Sequence, residues 1–228
     1  MLRHFDQELS QLTEKLLTMA SRAESAITNS IRALAERDDA IARQVKADDS
    51  ILDQFEIDID EMAIALLALK APLAGDLRLI TTVMKISRDL ERVGDEATTI
   101  ARRALELNRE PPLKPYVDIP RMAALGHEML HQALESFINR DPVLARAIIP
   151  RDQEVDALNK QLHRELVSFV IENPATTTRA LALMIISKSL ERIADHATNI
   201  AEEVVYLYEG RDIRHTKRFK QPVAALPG

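Results

Sequence analysis

The chain repeats itself. Residues 86–107 read ISRDLERVGDEATTIARRALEL and residues 186–207 read ISKSLERIADHATNIAEEVVYL, identical at 11 of 22 positions without a gap. Upstream, Arg37-Asp38, Ala42-Arg43, Asp49 and Asp53 return 103 residues later as Arg140-Asp141, Ala145-Arg146, Asp152 and Asp156. The offset falls from 103 to 100 between the two blocks, so the second copy is three residues shorter there. Turns absorb such deletions at little entropic cost, and Ala71-Pro72-Leu73-Ala74-Gly75 against Asn173-Pro174 is the expected place. A duplicated unit of about 105 residues has to fold as two like lobes. Their boundary is expected at Glu110-Pro111-Pro112-Leu113-Lys114-Pro115, where three prolines end any helix.

The period within each copy is helical. Leu79, Val83, Ile86, Leu90, Val93, Ala97, Ile100, Ala104 and Leu107 alternate steps of four and three, the spacing of a buried bundle seam. Phe5, Leu9, Leu12, Leu16, Met19, Ala23 and Ala26 do the same, as do Leu52, Phe55, Ile59, Met62, Leu66 and Leu69. The patterns predict helices over 2–36, 39–70 and 75–108, then 118–139, 142–172 and 175–209. Asp76 and Thr176 or Thr177 are expected near the starts of the third helices. The fold class is therefore all-α: two tandem repeated three-helix bundles with long antiparallel helices. Residues 1–110 form the first repeat, 116–210 the second, and 211–228 a poorly ordered basic tail.

Composition narrows the function. A hydrophobic share of 46% supports a real core, while 4% aromatics leaves Leu, Ile, Ala, Val and Met to fill it. A formal charge of −6 disfavours a nucleic-acid partner. The absence of cysteine excludes disulfides, thiolate metal sites and thiol nucleophiles. Neither a secretory signal nor an apolar run of membrane-spanning length is visible, so a cytoplasmic protein without membrane insertion is expected.

Four carboxylate pairs stand at i,i+4: Asp49/Asp53, Glu91/Asp95, Asp152/Asp156 and Glu191/Asp195. Each pair shares one helix face and points off the apolar seam, at a cost of about 0.2–0.5 kcal/mol of repulsion that Arg88, Arg92, Lys188 or Arg192 could offset. With the second and third helices antiparallel, the two pairs of a lobe lie at similar height, so four carboxylates are expected to converge. The spacing leaves two readings open: a solvated acidic face, or an all-oxygen site for magnesium, calcium, manganese or iron.

Asp76-Leu77-Arg78, the runs Asp89-Leu90-Glu91-Arg92-Val93-Gly94-Asp95 and Ser189-Leu190-Glu191-Arg192-Ile193-Ala194-Asp195, and Tyr208-Glu209-Gly210-Arg211-Asp212-Ile213-Arg214-His215 resemble the PhoU family over almost the whole chain, in order. The resemblance implies metal clusters on the paired acidic motifs, with Asp49, Asp53, Glu91, Asp95, Asp152, Asp156, Glu191 and Asp195 as ligands and magnesium, manganese, iron or zinc as occupant. His196, which stands where the first copy has Glu96, points about 100° away from Asp195 around the helix and is left out of the set. The family also implies a cytoplasmic negative regulator of the phosphate-starvation response. Such a regulator would connect the ATPase PstB of the phosphate ABC transporter to the sensor kinase PhoR, restrain uptake, form a homodimer, and lie at the inner membrane only through partners.

Three rival readings follow from the residues. His127-Glu128-Met129-Leu130-His131 fits the zinc-hydrolase pattern H-E-x-x-H, with Glu154 or Glu191 as possible third ligand. A sheet edge to hold substrate is missing, and two partly exposed bundle histidines are the expectation. A ferritin-like oxidase would need Glu-x-x-His, and Gly94 and Ala194 occupy those positions. A metal-free helical scaffold shares the fold. No phosphate-binding loop, dinucleotide fingerprint or nucleophile elbow is present, so no enzyme is expected.

Overall fold

The structure, a computed structural model, describes residues 2–70 and 72–214, with side chains for 5–68 and 72–214. Helices α1 (Leu2–Ala35), α2 (Asp39–Lys70) and α3 (Ala74–Leu107) form the first lobe. Helices α4 (Asp118–Ile138), α5 (Pro142–Ile148), α6 (Asp152–Glu172) and α7 (Thr177–Glu209) form the second. The described residues contain no strand. The chain is thus all-α, with a three-rod bundle written twice.

The one break in the expected helix plan lies over 142–172. There a 3-10 turn at Ile149–Arg151 separates α5 from α6. Pro150 is the cause: its ring nitrogen has no proton for the carbonyl one turn back, and its ring crowds that turn. The first copy has Ala47 at the equivalent position, and α2 runs through unbroken.

The turn between the first two helices of each copy explains one identity in the duplication. Arg37 and Arg140 are the non-glycine residues with positive φ, +57° and +55°. Each ends a helix in the left-handed conformation, with Asp38 N–H bonded to the Ala33 carbonyl and Asp141 N–H to that of Ser136. The aspartate that follows then starts the next helix. Asp38 Oδ1 accepts from the amides of Ala40 and Ile41 at 2.8 and 3.1 Å, and Asp141 Oδ1 from those of Val143 and Leu144 at 2.9 and 3.0 Å.

The expected caps of the third helices take other parts. Asp76 lies within the first turn of α3, behind Leu73 at the cap position. The Thr176 hydroxyl donates backward to the Phe169 and Asn173 carbonyls, and Thr177 does so to that of Pro174. Asn173 caps the intervening 3-10 turn through Ala175 N–H at 3.1 Å.

Seam residues Val83, Ile86, Leu90, Val93, Ala97, Ile100, Ala104 and Leu107 are all buried in α3. Leu52 packs into the space left by Gly94, where an added Cβ would lie 2.4 Å from Leu52 Cδ1. The equivalent second-copy residues are Val155 and Ala194, a smaller side chain matched with a larger one.

The two lobes join along α3 and α7. Lys85 bonds Glu203 at 2.9 and 3.1 Å, Asp89 meets His196 at 2.8 Å, and Glu96 pairs with Arg192 at 3.0 Å. Rising numbers on α3 meet falling numbers on α7, so the central helices are antiparallel. The proline-rich connection is held in place. Arg179 donates to the Pro111 carbonyl at 3.0 Å, and Lys114 bridges Asp118 and Glu165 at 3.0 and 2.5 Å.

The tail expected from 211 onward begins ordered. Gly210 closes α7 at φ +66°, Ile213 is buried, and Arg214 pairs with Asp212 at 2.6 Å and Glu203 at 3.5 Å. Burial of one apolar side chain and a charged anchor hold these residues; 215–228 lie outside the described residues.

The left-handed arginines give a paired test. Arg37 donates to the carbonyls of Leu107, Asn108 and Glu110 at 3.4, 2.7 and 2.7 Å, which ties α1 to the end of α3. Arg140→Gly removes only the side-chain penalty of a left-handed backbone and is expected to stabilise by about 1 kcal/mol. Arg37→Gly loses the three bonds as well and is expected to destabilise. Denaturant unfolding of the two variants should show opposite signs.

Candidate functional site

Antiparallel packing sets the height of every acid in the first lobe. Asn108 Nδ2 donates to Asp39 at 2.9 Å, the Thr98 hydroxyl to Asp49 at 2.9 Å, and Gly94 faces Leu52. One turn further along α2 from Asp49, Asp53 comes to the level of Glu91 and Asp95. The four residues expected in this lobe thus lie at similar height on two facing helices.

Electrostatics record their proximity. Burial pushes the Glu91 carboxyl above the ordinary range, and the charges of Asp95, Glu56 and Asp53 push it further while Arg92 opposes. Asp95 is raised by burial first, then by Asp49 and Asp53, again against Arg92. Arg92 stands 3.3 Å from Glu91 and 3.1 Å from Asp95. Glu56 was missed by the pairwise i,i+4 search. It lies three residues past Asp53, and the 49, 53, 56 stripe on α2 was the available signal.

The second lobe repeats the arrangement with one fewer charge. Burial raises Asp195, followed by the charges of Glu191 and Asp156, against Lys188. Glu191 is itself buried and bonded to Lys188. Asp152 opens α6 one turn before Asp156. Asn159 replaces Glu56 and accepts a hydrogen bond from Ser187 at 2.8 Å. Of the four cations expected to offset the pairs, Arg92 and Lys188 bond to them. Arg192 instead bonds across the lobe junction to Glu96.

Both clusters therefore sit in grooves between helices, with Asp53 exposed at one extreme and Glu191 at 9% relative exposure at the other. An all-oxygen, self-repelling donor set fits a hard cation in its chemistry. Among the described residues no three His, Asp or Glu side chains are already gathered around one point. Closing on an ion would require these carboxylates to rotate inward.

The H-E-x-x-H residues are engaged elsewhere. Arg151 grips Glu128 at 2.9 Å and holds its carboxyl below the ordinary range, the reverse of what a general base needs. His131 Nδ1 meets Glu24 at 2.9 Å, and the imidazoles of His127 and His131 stack with centroids 6.5 Å apart.

Fold and site together define a class: a duplicated all-helical scaffold that presents carboxylate-lined grooves. Comparison with known proteins makes this specific. The model described as the PhoU domain matches residues 16–104 and again 119–204. The chain belongs to the PhoU family, whose members are accessory and regulatory helical proteins and not enzymes. It is 43% identical to the phosphate-specific transport system accessory protein PhoU homolog of Aquifex aeolicus, over 92% of this chain and 95% of that protein. The crystal structure of PhoU from Pseudomonas aeruginosa is similar with a TM-score of 0.88 and 38% identity, covering 91% of this chain and all of that one. The structure of the phosphate transport system regulatory protein PhoU from Streptococcus pneumoniae gives 0.84 and 28%, covering 91% and 98%.

Raised carboxyls have a definite sign. Glu91, Asp95 and Asp195 bind their protons more tightly folded than unfolded, so their ionised forms subtract stability above the raised values. That loss is recovered as pH falls through those values. In metal-free protein, Asp95→Asn and Asp195→Asn are expected to stabilise by about 0.2–0.5 kcal/mol each at neutral pH. The gain should shrink as pH falls through the raised values, where the wild-type groups protonate. Thermal melts at several pH values check both the sign and the trend.

Proposed function

We propose that the protein is a negative regulator of the phosphate-starvation response that also restrains phosphate uptake. It links the ATPase PstB of a phosphate ABC transporter to the sensor kinase PhoR. The observation that carries this reading is the pair of acid-lined grooves on a PhoU scaffold. Relatives over nearly the whole length are named accessory proteins of phosphate-specific transport. The grooves offer desolvated negative charge to basic patches on a partner, the kind of complementarity that sets register and encounter rate. A homodimer in the cytoplasm, peripheral to the membrane through its partners, completes the proposal. No helix among the described residues is long and apolar enough to cross a membrane.

The metal belongs to the same proposal. Asp49, Asp53, Glu91 and Asp95 would hold one ion or cluster, and Asp152, Asp156, Glu191 and Asp195 another, with magnesium, manganese, iron or zinc as occupant. Burial first, and then the charge of neighbouring carboxylates, raises Glu91, Asp95 and Asp195, and this uncompensated negative charge is what supports a cation there. A bound divalent ion would cancel that repulsion and change the face seen by a partner. A metal-free scaffold is the second reading, favoured by the lack of any pre-gathered ligand triad among the described residues.

Deleting the gene should switch on phosphate-responsive genes in phosphate-rich medium; genes that stay silent would reject the regulatory role. Metal analysis of the purified protein, with capture of PstB and PhoR before and after chelation, separates the two readings. Capture that weakens on chelation, and in a variant with Asp49, Asp53, Glu91 and Asp95 changed to Ala, supports the metal. Unchanged capture in both rejects the metal while leaving the regulator.

A further inference from the structure

His127 and His131 lie where α1 meets α4, the second seam between the lobes. The two helices are copies of one another. They end at Ala35 and Ile138, 103 positions apart, the offset of the upstream block of the repeat. Position 24 of the first copy is therefore 127 in the second, and 28 is 131. Where the helices cross, each residue meets the other copy's partner. His131 Nδ1 contacts Glu24 Oε1 at 2.9 Å, and Thr28 lines one groove with His127. Rising numbers on α1 meet falling numbers on α4, so an approximate twofold axis passes between these four residues.

The crossing assembles a donor set that neither copy holds alone. Histidines at i,i+4 share one helix face and can reach one ion. The imidazoles of His127 and His131 lie within 5° of parallel, centroids 6.5 Å apart. Glu24 enters from the facing helix and lines the grooves on either side, one with His127 and the other with His131. Glu128 turns away to Arg151 and stays out of the set. Two ligand atoms of a tetrahedral zinc ion stand about 3.3 Å apart, close to the 2.9 Å already between His131 Nδ1 and Glu24 Oε1. Among the described residues no three such side chains yet surround one point. The His127 ring, half-buried at an open groove, is the one that must turn. His131 is 62% exposed and can follow without disturbing the core. Two imidazoles and one carboxylate suit zinc and its transition-metal neighbours, whereas magnesium and calcium prefer all-oxygen sets.

We propose that Glu24, His127 and His131 form a binding site for a zinc-like ion on this axis, separate from the acidic grooves. The ion takes the place of the proton between His131 and Glu24, which leaves to solvent, and water completes the tetrahedron. Because α1 belongs to the first lobe and α4 to the second, a bound ion fastens the lobes along a seam distinct from α3–α7. The inference goes beyond the regulatory reading and does not depend on it, since binding is measured on the isolated full chain.

The test is calorimetric titration of metal-stripped full-length protein with zinc chloride in magnesium-containing buffer, paired with thermal unfolding. Wild type is expected to bind one equivalent of zinc that His127→Gln and His131→Gln each weaken by at least about tenfold, as loss of a direct ligand should. Zinc should raise the unfolding temperature of wild type and raise it less in these variants, because an ion bound to the native state adds stability. Circular dichroism of His131→Gln, changed at an exposed position, should match wild type. Glu128→Gln should keep the equivalent, which separates the site from a zinc-hydrolase centre. The Asp49→Ala, Asp53→Ala double variant should keep it too, which separates it from the acidic grooves. Equal zinc binding in wild type and both histidine variants overturns the site, as does its loss in Glu128→Gln or in the double variant. Unchanged affinity in Glu24→Gln also overturns it, because the ion would then lie on α4 alone. None of these results bears on whether deletion derepresses phosphate-responsive genes, so the two proposals fail separately.

Discussion

The antiparallel crossing of α3 and α7 is the contact on which the rest of the structure depends. Each of these helices is the central rod of its own lobe, with a seam of Leu, Ile, Val and Ala against two neighbours. Each also gives a second face to its counterpart. A helix used on several sides is buried over most of its circumference, which explains why Ser87, Thr98, Ser187, Ser189, Glu191 and Glu203 are buried beside apolar residues. Burying such polar groups is costly unless they are bonded, and several of them are. Ser87 bonds the Met84 carbonyl, Thr98 bonds Asp49, and Glu203 takes both Lys85 and Arg214.

Consecutive residues on these rods serve different interfaces because they are separated by about 100°. Glu91 faces Asp53 and Glu56 within its lobe, whereas Arg92 reaches the lobe junction and Glu96 crosses it. One short Leu-Glu-Arg segment thus supplies an acid to an intralobe groove and a base to an interlobe groove. The energetic cost is local. Carboxylates moved between helices lose hydration and repel each other, and a single cation per lobe, Arg92 or Lys188, offsets only part of this. On the proposed reading, the remaining repulsion would favour positive charge from outside, whether an ion or a basic side chain.

Much of this was legible in the residues because duplication doubles every signal. The all-helical class, the antiparallel order and the shared height of Asp49/Asp53 and Glu91/Asp95 follow from periodicity and from the duplication. The Arg-Asp identity at 37–38 and 140–141 was visible as a match, but its reason was not: backbone handedness has no periodic trace. Pro150 was the available signal for the break between α5 and α6, and the helical span predicted over 142–172 ran through it. Glu56 escaped because it falls at i+3 and its second-copy counterpart is Asn159. The junction between lobes left no mark in either repeat alone. It is set by which side of α3 is free once α1 and α2 are packed, a tertiary choice that no single-helix pattern encodes. The metal assignment rests on the same pairs that the sequence displays, and packing supplies their proximity without yet closing them around a point.

Departures from the repeat are as informative as the repeat itself. If both lobes met the same partner in the same way, little would favour replacing Glu56 with Asn159, Glu96 with His196, or Gly94 with Ala194. The first two changes alter charge near an acidic cluster, and the third alters space in the core where Leu52 packs beneath it. The first lobe keeps five crowded carboxylates and a glycine that admits Leu52; the second keeps four and buries Glu191 against Lys188. A cation therefore meets more negative charge in the first lobe, and a basic peptide finds its acids more accessible there. On the proposed reading, a shared backbone with unequal grooves would let two partners be told apart, because the symmetry fixes the geometry of the two lobes while the substitutions distinguish them.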